Sequence, residues 1–373
     1  MRSDTLTEQK REGKGTESIP ELCDMAVAGL LKMLDPERHM FCEVFNRTDK
    51  GMSRERLSSR YTTMALLGLH RYEQSSGDSP IAMAPVLDAL LHDTHWIGCA
   101  GDLGLLLWTC AELAPERLPE VYQRVKAENA LERFADGQRG ATMEVAWFLT
   151  GIASCYLAGY ADLRGLAEQA VTARNILEAN CGTSGVYGHL SRSNSLAGHV
   201  RGRIGSFADQ VYPTIAFARL SHALRDEKAA QMAIRTAKKM CELQAPLGEW
   251  CWQYDSVSGG VVSRYPVYSV HQHAMGPMML LSVSEATGCE FREAIDKSLA
   301  WISGNNELHR NFVEPSLGVV WRCIYLDSLE AYTDAALRFM LLRSGAADAS
   351  RLKVRYECRP YELGWLLYAF AGR

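Results

Sequence analysis

The chain has 373 residues, 47% of them hydrophobic and 23% charged, which is ordinary globular composition with ample material for a large core. A formal net charge of -4 and a pI near 6.2 leave no broad basic excess to track phosphates, so no nucleic-acid partner is expected. The 11 cysteines form no CxxC pair, and several lie inside apolar runs, such as Cys110 in LLLWTCAEL and Cys155 in GIASCYLAGY. They fit small buried hydrophobes in a reducing compartment better than a disulfide framework.

The chain opens on MRSDTLTEQKREGKGTESIPE, which is polar and lacks the apolar core of a secretory signal. Residues 1–18 read as a disordered lead, and 19–373 as a single domain. No stretch is long and apolar enough to span a bilayer, so no membrane partner and a cytoplasmic location are expected.

From residue 60 onward the periodicity is helical. Six segments are apolar on nearly every face: RYTTMALLGLHRYEQ, DLGLLLWTCAEL, MEVAWFLTGIASCYLAGY, DQVYPTIAFARLSHALRD, HQHAMGPMMLLSVSEATG and PYELGWLLYAFAG. Amphipathic segments lie between them, among them APVLDALLHD, PERLPEVYQRVK, LRGLAEQAVTARNILEAN, EKAAQMAIRTAKKMCELQ and FREAIDKSLAWISGNN. Helices apolar all round belong inside, and one-sided helices face solvent. The two kinds alternate, with starts about 40 residues apart at first and about 60 later. The pattern predicts an all-α fold, an (α/α)6-type toroid of alternating inner and outer helices. An open solenoid of helix pairs is the alternative.

The inner segments share polar groups at their N-terminal ends: Arg60 and Tyr61, Asp102, Glu144, Asp209 and Gln210, then His271, Gln272 and His273, with Arg359 before the last. In a ring of parallel inner helices these ends converge on one mouth. Asp and Glu there also serve as helix N-terminal charges, but the same ends carry aromatics, Arg and His.

Gln244, Gly248 and Trp250 fit QxxxGxW. This resembles the QW motif of the terpenoid cyclase and protein prenyltransferase toroids, where it ties neighbouring helices together, and it is similar to sequences in the six-hairpin glycosidase-like families. YPVYSVHQHAMGPMMLL is likewise similar to inner-helix entries of those carbohydrate-active toroids. The resemblance implies the fold more than a function. The DxDD and DDxxD signatures of the terpenoid families are missing, and Asp255 stands alone after Trp252. WCW resembles a segment of the zinc-dependent lanthionine synthetase cyclases, whose Cys-His-Gly ligand pair is absent here. Cys251 and His271 are thus the nearest thing to a zinc site, and catalytic zinc takes three protein ligands. No metal or cofactor is expected.

The expected function is a carbohydrate-active enzyme, a hydrolase, lyase or epimerase, acting on a glycan or sugar acid in the barrel mouth. Sugar rings need flat apolar platforms and many polar partners. Asp209, Glu144 and Asp102 are the candidate catalytic carboxylates, and His271 the candidate base. Trp250, Trp252, Tyr265, Tyr268, Tyr212 and Trp147 are candidate platforms, and Gln272, His273 and Arg359 candidate polar contacts. The loop GVYGHLSRSNSLAGHVRGRIGSFADQVYP carries Arg192, Arg201 and Arg203, of which Arg201 and Arg203 are candidate partners for a substrate carboxylate or phosphate. The alternatives are a zinc-dependent or isoprenoid-type toroid enzyme and a non-catalytic glycan-binding scaffold.

Overall fold

The computed structural model describes residues 18–76, 78–134, 141–190, 202–327 and 349–373. All but Ser18 of the expected lead, as well as Arg192 and Arg201, lie outside these residues.

Helices dominate, and they alternate as the apolar pattern requires. The inner ones are α2 (Ser59–Ser76), α4 (Ala100–Leu113), α7 (Thr142–Leu157), α9 (Ala208–Leu224), α11 (Gly276–Thr287) and α13 (Pro360–Phe370). A π-helical turn, His271–Met275, leads into α11, and Pro277 occupies its first turn, where a missing N–H costs nothing. Burial shows why these helices are central. In α4 every residue from Ala100 to Cys110 is buried, so no face is left for solvent.

The outer layer comprises α1 (Ile19–Met33), α3 (Met83–His92), the short α5 (Leu118–Arg124) and α6 (Ala130–Phe134), α8 (Leu166–Asn180), α10 (Glu227–Leu243) and α12 (Arg292–Ile302). In α10 only one stripe is buried, Ala229, Ala233, Thr236, Ala237 and Met240, as expected of a helix lying on a core. The periodicity had not marked α1. Its local signal is a capping box, in which the Ser18 N–H donates to Glu21 Oε2 at 2.8 Å, with Pro20 in the first turn.

The ring closes. Helix α13 packs against α2, and successive inner helices pack on one another in turn. This decides between the toroid and the open solenoid. The closing contact is backbone against backbone: a Cβ added at Gly68 would lie 2.0 Å from the Gly364 carbonyl oxygen. The same device joins α4 to α7, where a Cβ on Gly151 would lie 2.3 Å from the Gly104 oxygen. The lumen is filled rather than open. Trp365 donates through Nε1 to Tyr212 Oη at 3.0 Å and stacks on Trp108 at 5.5 Å, which meets Tyr368 edge-on at 5.2 Å.

Among the described residues every strand lies in an outer-to-inner connection. The hairpin β2 (Met40–Thr48) and β3 (Gly51–Leu57), with β1 (Leu34–Asp35), precedes α2. Strand β4 (Ile204–Ser206) precedes α9, and β5 (Gln253–Asp255), β6 (Gly260–Ser263) and β7 (Val267–Tyr268) precede the π turn. Strands β8 (Val313–Glu314), β9 (Val319–Val320), β10 (Cys323–Leu326), β11 (Leu352–Arg355) and β12 (Glu357–Cys358) precede α13. Pairing crosses from one connection to the next: β4 with β5, β7 with β10, and β12 with β2, all antiparallel. The inner-helix entries are therefore stitched together at one end. Sequence alternation in these strands is too short to have been read from the residues alone.

The QxxxGxW segment is a staple. Gln244 Nε2 donates to the oxygens of Gly248 at 2.8 Å and Ala294 at 2.9 Å, tying α10 to α12. Gly248 has φ +95°, and a Cβ there would lie 2.2 Å from the Lys297 oxygen, so both conformation and space demand glycine. Trp250 is fully buried and stacks on Phe207 at 5.4 Å. Among the described residues no helix is long and apolar enough to cross a membrane.

Gly68→Ala is expected to destabilise the fold by about 2 kcal/mol, because the methyl must force α2 away from α13. Gly260→Ala, whose methyl would meet nothing nearer than 3.6 Å, is expected to change stability by less than about 0.5 kcal/mol. Urea unfolding of the two variants checks the difference.

Candidate active site

The mouth is built from the first turns of the inner helices. Arg60, in the first turn of α2, places Nε 2.6 Å from Asp102 Oδ1 in the first turn of α4. The other Asp102 oxygen accepts the Gly98 N–H at 3.1 Å. Burial works against the Arg60 charge, but the hydrogen bond and charge of Asp102 outweigh it and raise its pKa. The Arg60 guanidinium also lies 5.5 Å from the ring centroid of Trp147 on α7.

Glu144 stands one turn before Trp147 and is half-buried. A Cβ on Gly101 would lie 2.8 Å from the Glu144 Cα, so α4 and α7 touch where they carry these two carboxylates. Arg60 feels the charge of both. Trp147 meets Tyr212 of α9 edge-on at 5.0 Å.

On the other side of α2, at the start of α13, Arg359 Nη1 donates to Tyr61 Oη at 2.9 Å, and Tyr61 lies 4.7 Å from the ring of Tyr361. Arg359 also pairs with Glu357 at 3.3 Å. Glu357 in turn meets Arg322 at 3.0 Å, and Arg322 binds the fully buried Glu362 at 2.5 Å. Burial pushes the Glu362 carboxyl up, against the opposing pull of Arg322 and Arg359. Arg322 completes the sector by lying 5.0 Å from the Tyr268 ring centroid. Three arginines thus gather at the mouth, each with a carboxylate partner.

A cleft of about 380 Å³ opens over the first turn of α2, with Arg60, Asp102 and Tyr61 on one side and Glu43, Leu57 and Trp96 on the other.

The sequence candidates divide between this mouth and the layer beneath it. Asp102, Glu144, Trp147, Tyr212 and Arg359 come together as described. Trp252, Tyr268 and His271 form an adjoining stack, with His271 nearly coplanar with Trp252 at 6.1 Å and 8°. His271 is 3% exposed and does not line the cleft at Asp102. Burial, with the charge of Arg322 added, lowers its pKa to about 3, so it is neutral at ordinary pH. Asp209 is fully buried at the entry of α9. One of its oxygens accepts from the Ser206 N–H and Oγ, both at 2.8 Å, and lies 3.0 Å from His189 Nδ1.

Five other expected substrate contacts are buried or engaged by partners within the protein. Trp250 lies under the mouth, and the fully buried Gln272 accepts the Trp250 N–H at 3.0 Å and donates to the Tyr268 oxygen at 2.9 Å. His273 is fully buried, and burial lowers its pKa to about 4. Tyr265 donates to Glu307 at 3.0 Å, beside Arg264, which bridges Glu307 and the buried Glu249. Arg203, expected to hold a ligand anion, spends its fork on Asp255, with Nε to Oδ1 at 2.6 Å and Nη2 to Oδ2 at 2.5 Å. Arg201 lies outside the described residues.

For a metal, the described residues hold no group of three His, Cys, Asp or Glu close enough to share an ion. Cys251 is buried, and desolvation pushes its thiol up to about 12, far from a ready thiolate ligand.

Sequence reasoning did not single out Tyr361, Arg322, Trp96, Glu43 or His189. Tyr361 was legible in RPYE beside Arg359. Arg322 and Glu43 sit on or beside short strands that the helical period hides.

No protein-family profile and no curated protein matches the chain in sequence. Solved structures do match in shape. A possible member of the GH105 family from Klebsiella pneumoniae superposes with a TM-score of 0.61 at 11% identity, covering 99% of this chain and 98% of that one. The unsaturated glucuronyl hydrolase of Bacillus sp. GL1, responsible for degradation of glycosaminoglycan, gives 0.60 at 14% identity and 94% of each chain. A family 88 glycosyl hydrolase from Bacteroides vulgatus gives 0.55 at 12% identity, over 95% and 98%. The fold is that of the six-hairpin glycosidase toroids. At these identities the likeness is one of fold, as the QxxxGxW resemblance implied.

The Arg203–Asp255 pair yields a pH test. Despite desolvation, which raises it, the Asp255 carboxyl is held down at about 2 by Arg203, the Val257 N–H and Ser258. A lowered folded-state pKa contributes stability above the unfolded value of 3.8, and the contribution disappears as pH falls towards 2. Asp255→Asn is therefore expected to be less stable than wild type at pH 7, with the gap closing between about pH 4 and pH 2. Urea midpoints across that range check it.

Proposed function

We propose that this protein is a glycan-active hydrolase whose substrate ends in a uronic acid. The observation that carries the reading is the Arg60–Asp102 pair facing the cleft, with Glu144 on the next inner helix and Arg359 at the start of the inner helix on the other side of α2. Glycoside hydrolysis uses two carboxyl groups, one to protonate the leaving oxygen and one to act from the other face of the sugar. Asp102 and Glu144 supply such a pair on adjacent helices. Asp102, whose two oxygens accept from Arg60 and the Gly98 N–H, acts as the base, and Glu144 acts as the acid.

Arginine is suited to a sugar carboxylate, because its planar fork binds both oxygens. Arg60 and Tyr61 share the first turn of α2, and Arg359 reaches Tyr61, so a uronic acid beside that ring has two guanidiniums within its neighbourhood. The aromatic rings of Tyr61 and Trp96 offer platforms for C–H faces. The neighbours named as glucuronyl hydrolases support the same substrate class by analogy of fold.

A second reading, as a lyase or epimerase, rests on a different pair. Buried Asp209 holds Nδ1 of the half-exposed His189, which fixes the imidazole tautomer in the way an oriented general base requires.

Asp102→Asn is expected to lower kcat on a glucuronic-acid-terminated disaccharide by at least about 10²-fold, the scale of a lost base catalyst. Turnover within a few-fold of wild type would reject Asp102 as the base. His189→Ala with the same disaccharide separates the two readings: the hydrolase reading expects a smaller loss than at Asp102, and the second reading expects the larger loss at His189.

A further inference from the structure

The cleft over α2 has an acidic side that the proposed chemistry leaves unused. Asp102, Arg60 and Tyr61 line it from the helix entries, and Glu43 lines it from the β2–β3 hairpin. Glu43 Oε2 accepts from Arg56 Nε at 2.6 Å, while its Oε1 accepts no hydrogen bond among the described residues. The side chain is 32% exposed. The Arg56 hydrogen bond outweighs a small desolvation, and the charges of Arg56 and Arg359 add to it, so the carboxyl is held below its usual range. Glu43 is therefore an anion at ordinary pH, with one acceptor oxygen unspent.

The clasp on Glu43 is built against a backbone preference. Strand β3 pairs Leu57 with Cys42 and Glu55 with Val44. Between them Arg56 stands at φ +51°, in the left-handed region that disfavours any residue with a Cβ. Glycine would adopt it freely. Burial does not offset the strain, because the Arg56 side chain is 65% exposed. An exposed ion pair contributes little to stability either. Strain that persists without a return in packing points to a functional constraint. Here the strained residue holds one oxygen of a carboxylate that borders the cleft.

We infer that Glu43 is a specificity residue that accepts a hydroxyl of the terminal uronic ring, and that Arg56 is the positioning residue that aims it. The inference rests on the reading of the mouth as a uronic-acid site and deepens it. A sugar acid in the cleft meets the Arg60 guanidinium on the α2 side and the free Glu43 oxygen on the hairpin side. Its carboxylate is drawn to the first and repelled by the second, whereas a hydroxyl donates to a carboxylate. The ring therefore enters in one orientation, and it must carry a free hydroxyl on the edge that faces the hairpin.

The test measures kcat, KM and Kd of the full-length protein on a glucuronic-acid-terminated disaccharide and on its counterparts deoxygenated at one hydroxyl of the terminal ring. Glu43→Ala is expected to raise KM and Kd about tenfold, the scale of one hydrogen bond to a charged group, with kcat within about threefold of wild type. One deoxy sugar is expected to lose about as much affinity for the wild-type protein, and Glu43→Ala to weaken that sugar by less than about twofold more. Arg56→Gly removes the clasp and the left-handed strain together, so binding is expected to weaken at least about threefold while the melting temperature is not lowered. A purely structural role for Arg56 predicts the reverse, with affinity kept and melting temperature lowered. Unchanged affinity in either variant, or a Glu43→Ala loss of the same size on every sugar, would overturn the inference. Binding of the disaccharide without turnover rejects the hydrolase reading, and the Kd comparison then decides the role of Glu43. Neither binding nor turnover by the wild type rejects the uronic-acid reading and the inference with it.

Discussion

The structure depends on how closely its inner helices approach. Gly68 against Gly364 and Gly104 against Gly151 allow backbone contact where any side chain would stand in the way. Six helices brought this near close a ring, and a closed ring forces their first turns to a common mouth. Arg60 then reaches Asp102 on the next helix and the face of Trp147 on the one after. Arg359 reaches Tyr61, which is 298 residues away in sequence. No local feature of the chain would assemble these groups without the closure.

The two ends of the barrel handle buried charge differently. At the far end, Glu112 near the end of α4 accepts from Trp108 Nε1 at 2.7 Å, Arg219 Nη2 at 2.6 Å and Tyr368 Oη at 3.0 Å. Desolvation pushes the Glu112 pKa up, but Arg219 and these donors more than offset it and leave it lowered. All three donors converge on one Glu112 oxygen, and Trp108 and Tyr368 belong to the aromatic column that fills the lumen. At the mouth Asp102 is paired through both oxygens, but it and Arg60 line a cleft. A carboxylate that lines a cleft is within reach of a ligand.

The helices were legible because burial on every face leaves a run of apolar residues, as in LGLLLWTC, and burial on one stripe leaves a period, as in α10. Asp102, Glu144 and Trp147 were legible for the same reason, since the start of an inner helix marks where the mouth is. Pairing across the chain was not legible. Nothing in the sequence says that Arg203 is consumed by Asp255, because two residues 52 apart meet only when β4 pairs with β5. The aromatic-rich stretch from Trp250 to His273 looked like a binding wall. Trp250, Gln272 and His273 face inwards because the π turn and the staple rotate them under the mouth, and only Trp252 and Tyr268 remain at its half-buried surface. Helix α1 was missed because its 15 residues follow directly on the polar lead.

The central claim is that ring closure makes one sugar-acid site at the entries of α2, α4 and α7. A crystal structure of the protein soaked with a glucuronic-acid-terminated disaccharide tests it most directly. The account predicts the uronic carboxylate within hydrogen-bond distance of Arg60 or Arg359, the sugar ring against Tyr61 or Trp96, and the glycosidic bond between Asp102 and Glu144. A disaccharide ordered elsewhere on the molecule, with the Arg60–Asp102 cleft left to solvent, would contradict it.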